Sequence, residues 1–168
     1  KLFKAGYQGA ENHDSLFREG TGIYKFLTCG ADRMYDYIVE GEYDNIICTH
    51  VFPALAITEM LERHPSMRIT TSFISTDYTC SPSVSDSNLG WYFIPAESLK
   101  DEFVRCGVPS EKLVASGLPA KRAFYARPDK KAAKAALGFD EDQRHLLVMC
   151  GSMGCGPIRD ITELLCEN

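Results

Sequence analysis

Residues 145–158 read His-Leu-Leu-Val-Met-Cys-Gly-Ser-Met-Gly-Cys-Gly-Pro-Ile. An apolar run enters three glycines, and a proline stands where a helix would begin. The chemistry open to such a loop is anion binding. Free backbone N–H groups and the positive end of the helix face the loop, and glycines let a ligand approach the backbone. A phosphate or diphosphate is the expected guest; a tight strand-to-helix turn without a ligand is the other reading. The order Gly151-x-x-Gly154-x-Gly156 departs from the dinucleotide fingerprint Gly-x-Gly-x-x-Gly. Gly151 and Gly156 have the Walker spacing, but Pro157-Ile158 replaces the lysine and hydroxyl residue that clamp phosphate and bind Mg²⁺. What remains is a backbone-driven diphosphate site without a metal.

Two further side chains stand where strands are expected to end. His50 follows the run ending Cys48-Thr49, and Asp77 follows the run ending Phe73-Ile74. In open α/β sheets, ligands bind beyond the carboxyl ends of the strands. There a histidine serves as base or hydrogen-bond donor, and an aspartate as base or orienter. The alternatives are structural: His50 satisfies a backbone carbonyl, and Asp77 caps a turn. Ser116-Gly117-Leu118-Pro119 is another loop on the same edge, either a plain turn or a binding one. His13, His64 and His145 have no evident partners.

The elements that must position these residues follow from periodicity. Apolar residues at Ile23, Phe26, Leu27, Met34, Tyr35, Ile38 and Val39 predict a helix over 22–40, ended by Gly41 as the residue past its cap. Strands are expected at 43–50, 67–75, 91–94, 112–115 and 144–150. Helices are expected at 54–63 with Pro53 in the first turn, at 97–106 closed by Gly107, at 129–137 stopped by Gly138, and at 157–166. Residues 75–88 read as a loop rich in Ser, Thr, Asp, Cys and Pro. Alternating strands and helices predict a parallel, Rossmann-like α/β sheet with helices on both faces.

Composition narrows the function. The chain has 168 residues, 45% apolar and 24% charged, which is ordinary for a globular protein. Its net charge of −5 argues against nucleic acid as a partner, because that affinity comes from basic residues neutralising phosphates. No apolar run approaches the ~20 residues of a membrane-spanning helix, and no signal peptide is visible. Seven cysteines without a framework read as reduced and intracellular, and no ligand spacing for a structural metal occurs. Lys121, Arg122, Arg127, Lys130, Lys131 and Lys134 form a basic cluster in an acidic chain. Most such runs are solvated helix faces; some contact anionic lipid headgroups, each charge worth about 1 kcal/mol near the surface. The chain starts at a lysine and stops just after a new strand–loop–helix unit, as if cut from a longer protein.

Five motifs occur in one order: Cys48-Thr-His-Val-Phe-Pro53, Ser75-Thr-Asp-Tyr-Thr-Cys80, Gly107-Val-Pro-Ser-Glu-Lys112, Ser116-Gly-Leu-Pro119 and Leu147-Val-Met-Cys-Gly-Ser-Met-Gly-Cys-Gly-Pro157. In that order they resemble the monogalactosyldiacylglycerol synthase and processive diacylglycerol glucosyltransferase family. The resemblance implies a glycosyltransferase B architecture. Residues 1–120 would be the acceptor-side domain, 121–143 a linker with a helix, and 144–168 the start of the nucleotide-sugar domain. It implies transfer of galactose or glucose from a UDP-sugar to diacylglycerol or another lipid acceptor. No cofactor or metal is implied; the UDP-sugar is a substrate. The location implied is cytoplasmic, peripheral at the inner face of the membrane. Gly151, Ser152, Met153, Gly154 and Gly156 would face the diphosphate. His50, Phe52, Pro53 and Asp77 would line the acceptor-side cleft, with His50 and Asp77 the candidates for catalysis.

This chain departs from the family pattern in three places. A Gly-x-Gly-His loop with an acceptor-side histidine would lie before Lys1. Cys80 is followed by Ser81-Pro82 rather than His-Pro. The uracil- and ribose-binding segments would lie after Asn168. The chain alone is therefore expected to be inactive. Two other functions fit the same residues: a relative of the enzyme that adds N-acetylglucosamine to a lipid-linked peptidoglycan precursor, and a non-catalytic nucleotide-binding α/β module.

Overall fold

The computed structural model describes residues 20–126, 128–149 and 156–167. The chain divides into two compact units, Lys1–Pro119 and Ala120–Asn168. In the first, helices α1 (Gly22–Thr28) and α2 (Ala31–Glu40) precede strand β1 (Asn45–Cys48). Helix α3 (Val51–Arg63), β2 (Thr70–Ile74), β3 (Trp91–Ile94), α4 (Lys100–Arg105) and β4 (Leu113–Ala115) follow, with short 3₁₀ turns at Glu97–Leu99 and Ser110–Lys112. The second unit holds a 3₁₀ turn at Arg122–Phe124 and helices α5 (Lys130–Ala136) and α6 (Ile158–Cys166).

The four strands form one parallel sheet in the order β1-β2-β3-β4. The strands follow chain order, so each crossover steps in the same direction, and one face of the sheet carries the core. Side chains that alternate to that face are buried: Cys48, Phe73, Tyr92, Ile94 and Leu113. They meet Ala54, Leu55, Ile57 and Met60 of α3, Phe103 of α4, and Tyr24 and Ile38 of α1 and α2 in one core. The opposite face carries Ile47, 59% exposed, and Trp91, 45% exposed.

The helix expected over 22–40 is two helices. Thr21 caps α1 by accepting the Tyr24 amide, and the Thr28 hydroxyl donates back to the Tyr24 carbonyl. The break falls at Cys29-Gly30, where glycine, a poor helix former, stands as the cap of α2. The end of α2 also differs from expectation. Gly41 sits in the right-handed region as the cap, and Glu42 takes the left-handed position with φ 51°. Tyr43 N–H donates to the Ile38 carbonyl and Glu42 N–H to that of Val39, which closes a Schellman turn one residue later than the sequence suggested. A Cβ at Gly41 would meet the ring of the exposed Tyr43, which would have to swing aside. At α4, Gly107 does take the left-handed position, with φ 106°. Val108 N–H bonds the Phe103 carbonyl, and both side chains are buried against the core.

Helix α3 begins two residues before Pro53. A proline in the first turn removes no intrahelical hydrogen bond, because those amides have no helical acceptor. The fifth expected strand, 144–150, does not form among the described residues. Residues 144–149 carry no ladder, and Leu146, Leu147 and Met149 are all more than 70% exposed. Cys150 lies outside the described residues. A strand exists only through its pairing, and the described part of the Ala120–Asn168 unit contains no strand to pair with. Helix α6 starts at Ile158, with Pro157 as its cap rather than its first residue.

The crossover from β2 to β3 contains no helix. Its backbone, partly buried, is satisfied by side chains. The Tyr92 hydroxyl donates to the Ser87 carbonyl at 2.6 Å and accepts from the Leu89 amide at 3.1 Å. Thr58 of α3 accepts the Asn88 amide at 2.8 Å, and Thr71 of β2 accepts the Gly90 amide at 2.9 Å.

Two expected outcomes follow. Tyr92→Phe leaves a buried amide and carbonyl without their partner and lowers unfolding free energy by about 1–3 kcal/mol in urea titrations, with the far-UV spectrum unchanged. Glu42→Gly relieves a left-handed non-glycine residue and raises it by about 1 kcal/mol; an unchanged midpoint would remove the strain argument.

Candidate functional site

All four strands point the same way, so their carboxyl ends share one edge. Three of the expected site loops leave from it. His50 lies two residues past β1, Asp77 three past β2, and Ser116 directly after β4. The backbone ladder extends a little further than the strands: Ser75 N–H bonds the Phe93 carbonyl, and Ser116 N–H bonds that of Ile94.

His50 is the N-cap of α3 in extended backbone, and its Nδ1 accepts the Phe52 amide at 3.2 Å. The imidazole lies edge-on to the Phe52 ring, 4.7 Å between centroids. This bond fixes the tautomer. With Nδ1 as acceptor, the neutral ring carries its proton on Nε2. The outer nitrogen therefore offers a hydrogen-bond donor rather than a proton acceptor. Phe52 is half-buried and Pro53 exposed beside it.

Asp77 is exposed. Its Oδ2 accepts the Ser81 hydroxyl at 3.1 Å, and its carbonyl accepts the Ser75 hydroxyl at 3.2 Å. It is the acidic group of a turn, with a carboxylate open to solvent. His50 and Asp77 thus sit at the ends of adjacent strands, each hydrogen-bonded within its own loop. In the third loop, Gly117 has φ 82° and the Ser116 hydroxyl donates to the Gly117 carbonyl at 3.2 Å. That geometry is a turn only a glycine adopts readily.

Of the glycine-rich segment, Gly151, Ser152, Met153 and Gly154 lie outside the described residues, as do Cys150 and Cys155. Gly156 is described and has φ 128°, a conformation that favours glycine. The histidines without evident partners acquire some. His64 stacks on Tyr35 at 3.6 Å, with Nε2 3.5 Å from Asp32 Oδ1, whose other oxygen pairs with Arg63. His145 stacks on Phe139. His13 lies outside the described residues. Among the described residues, no cluster of three or more His, Cys, Asp or Glu side chains is placed to hold a metal ion, and no helix is long and apolar enough to cross a membrane.

The residue that sequence reasoning missed is Glu102. Its Oε1 accepts the Thr79 hydroxyl at 2.6 Å and the Cys80 amide at 2.7 Å, which ties the loop carrying Asp77 to α4. The Thr79 hydroxyl, then the Cys80 amide, hold the Glu102 carboxyl below the ordinary carboxylate range, with Arg105 adding to the effect. Nothing local marks Glu102 in the sequence, because its partners lie 22 and 23 positions away. Burial alone pushes the Cys48 thiol, on β1, up to about 11.

The lowered Glu102 value gives a signed pH effect. Its contribution to stability is complete above the ordinary value of 4.5 and disappears as pH falls through the lowered folded value. Glu102→Gln keeps the shape and loses the charge. Thermal melts from neutral to acid pH are expected to show a lower midpoint for the variant at neutral pH. Its deficit should shrink on the acid side; a constant deficit at every pH would assign the effect to packing.

The model of the family described as monogalactosyldiacylglycerol synthase matches residues 1–120. A processive diacylglycerol beta-glucosyltransferase of Staphylococcus saprophyticus is 27% identical over 133 residues, covering 79% of this chain and 32% of that protein. One from Bacillus cytotoxicus is 21% identical over 158 residues, covering 84% of this chain and 40% of that protein. An uncharacterized glycosyltransferase, YkoN of Bacillus subtilis, is 22% identical over 157 residues, covering 82% and 39%. The chain spans about a third to two-fifths of the length of these curated relatives. No solved structure matches it.

Proposed function

This chain belongs to the monogalactosyldiacylglycerol synthase family, and on that premise we propose that the protein transfers a hexose, galactose or glucose, from a UDP-sugar to diacylglycerol. The observation that carries this reading is the family match over residues 1–120, the stretch that holds the sheet edge with His50 and Asp77. The relatives named for glucosyl transfer to diacylglycerol support it. The parallel sheet with ligand loops at its carboxyl edge is a suitable scaffold.

The chemistry assigned to these residues is as follows. The acceptor hydroxyl attacks the anomeric carbon of the sugar and the bond to the diphosphate breaks, leaving UDP. Asp77, an exposed carboxylate, is the candidate to take the hydroxyl proton. His50, with its proton on Nε2, is the candidate to donate a hydrogen bond to the acceptor or the sugar. Backbone amides over Gly151–Gly156 would stabilise the leaving diphosphate. No metal is assigned a role.

The acceptor is a lipid, so the protein is placed at a membrane surface, on the cytoplasmic side. The basic cluster supports this. Lys131 is neutralised by Asp142, and Lys134 bonds the Glu141 carbonyl. Among the described residues, Lys121, Arg122 and Lys130 make no ion pair. They are the cations available to anionic headgroups.

The test begins with the coding DNA on either side of this chain. The protein it encodes is assayed with UDP-glucose and UDP-galactose on diacylglycerol vesicles, with and without anionic lipid. Hexose transfer, faster on anionic vesicles, is expected. Asp77→Asn is expected to lower kcat by about 10²–10⁴-fold if it is the base, and His50→Ala by a smaller factor. Transfer only to a polyprenyl-linked acceptor would replace diacylglycerol in this reading. UDP binding without transfer would reduce the protein to a binding module.

A further inference from the structure

We infer that Cys80 and Cys106 are a paired-thiol modification site that closes to a reversible disulfide. Glu102 brings the two residues together. Its carboxylate accepts the Cys80 amide at 2.7 Å, and its own carbonyl accepts the Cys106 amide at 3.0 Å. Each cysteine is therefore one hydrogen bond from the same residue. Both side chains line one cavity of about 230 Å³, together with Ser81, Ser83, Ser85 and Asp86. Within it, the Cys80 thiol donates to the Ser81 carbonyl at 3.9 Å. Cys106 is exposed, whereas Cys80 is half-buried.

The asymmetry in exposure sets the order of steps. A small-molecule disulfide such as oxidised glutathione is the oxidant. The Cys106 thiolate attacks one of its sulfurs. The glutathione S–S bond breaks, a mixed disulfide forms on Cys106, and one reduced glutathione leaves. Cys80 then loses its proton to solvent and attacks the Cys106 sulfur, releasing the second glutathione. Two protein thiols are oxidised, and one small disulfide is reduced to two thiols. Burial first, and then the facing Cys106, hold the Cys80 thiol protonated well above the ordinary range, so its attack is the slower step and quickens as pH rises.

The product would join the loop of Asp77 covalently to the end of α4, where Glu102 already holds it by hydrogen bonds. Disulfide geometry requires the two Cα atoms to come within about 7 Å. The site is distinct from the diphosphate and acceptor roles assigned above and does not depend on them.

The experiment uses the full 168-residue chain. It is equilibrated in mixtures of reduced and oxidised glutathione, quenched by alkylation, digested without reductant and read by mass spectrometry. A peptide linking Cys80 to Cys106 is expected, and it should vanish on return to excess reduced glutathione. Cys80→Ser is expected to leave glutathione trapped on Cys106. Cys106→Ser, a change at an exposed side chain, should leave Cys80 unmodified and the circular dichroism unchanged. Stable glutathione on Cys106 of the unaltered chain would overturn the inference. So would a link from Cys80 to any other cysteine.

Discussion

A parallel crossover without a helix is the constraint on which the first unit depends. A helix satisfies its own amides and carbonyls; an irregular segment does not. Between β2 and β3 the chain must cross the buried side of the sheet with its backbone groups unpaired by any ladder. The cost of leaving them so is high. The structure meets it with hydroxyl groups drawn from the neighbouring elements: Tyr92 from β3, Thr58 from α3 and Thr71 from β2. Each of these side chains is itself buried. The loop therefore fixes the spacing of β2, β3 and α3 as much as they fix the loop. Val84 and Leu89 supply its apolar anchorage in the same core.

The same economy extends to the sheet edge. Asp77 belongs to the front of that loop and is bonded to Ser75 and Ser81, while Glu102 ties the loop to α4 through Thr79 and Cys80. His50 is set differently, by acting as the cap of α3. Each of the two residues is thus bonded within its own scaffold rather than to the other.

Much of this was legible in the sequence where the signal is local. β-branched and aromatic runs marked β3 to the residue and located β1, β2 and β4. Gly107 and Gly138 marked helix ends, because the backbone at both points takes a positive φ that favours glycine. Apolar periodicity continues across Cys29-Gly30 and predicts one helix over 22–40; the break falls at those two residues, which periodicity does not register. Gly41 marks the end of α2, but the left-handed position falls one residue later, at Glu42. The strand at 144–150 has the composition of a strand, but composition cannot supply a partner. Glu102 and Tyr92 were invisible as functional supports, since their roles exist only once distant segments meet. At the site, strand ends located His50 and Asp77, whereas the tautomer of His50 required the Phe52 amide to be seen. The part of the glycine loop expected to hold the diphosphate, 151–154, lies outside the described residues.

The uneven covering of the sheet has an optical consequence. The chain has a single tryptophan, and Trp91 stands on the face opposite the packed helices. Its indole is therefore a native probe of that surface alone. The chain's tryptophan emission should lie toward the red and be open to quenching by iodide. Anything that comes to rest on the face of Ile47 and Trp91 would announce itself as a blue shift and a loss of quenching, with no label introduced.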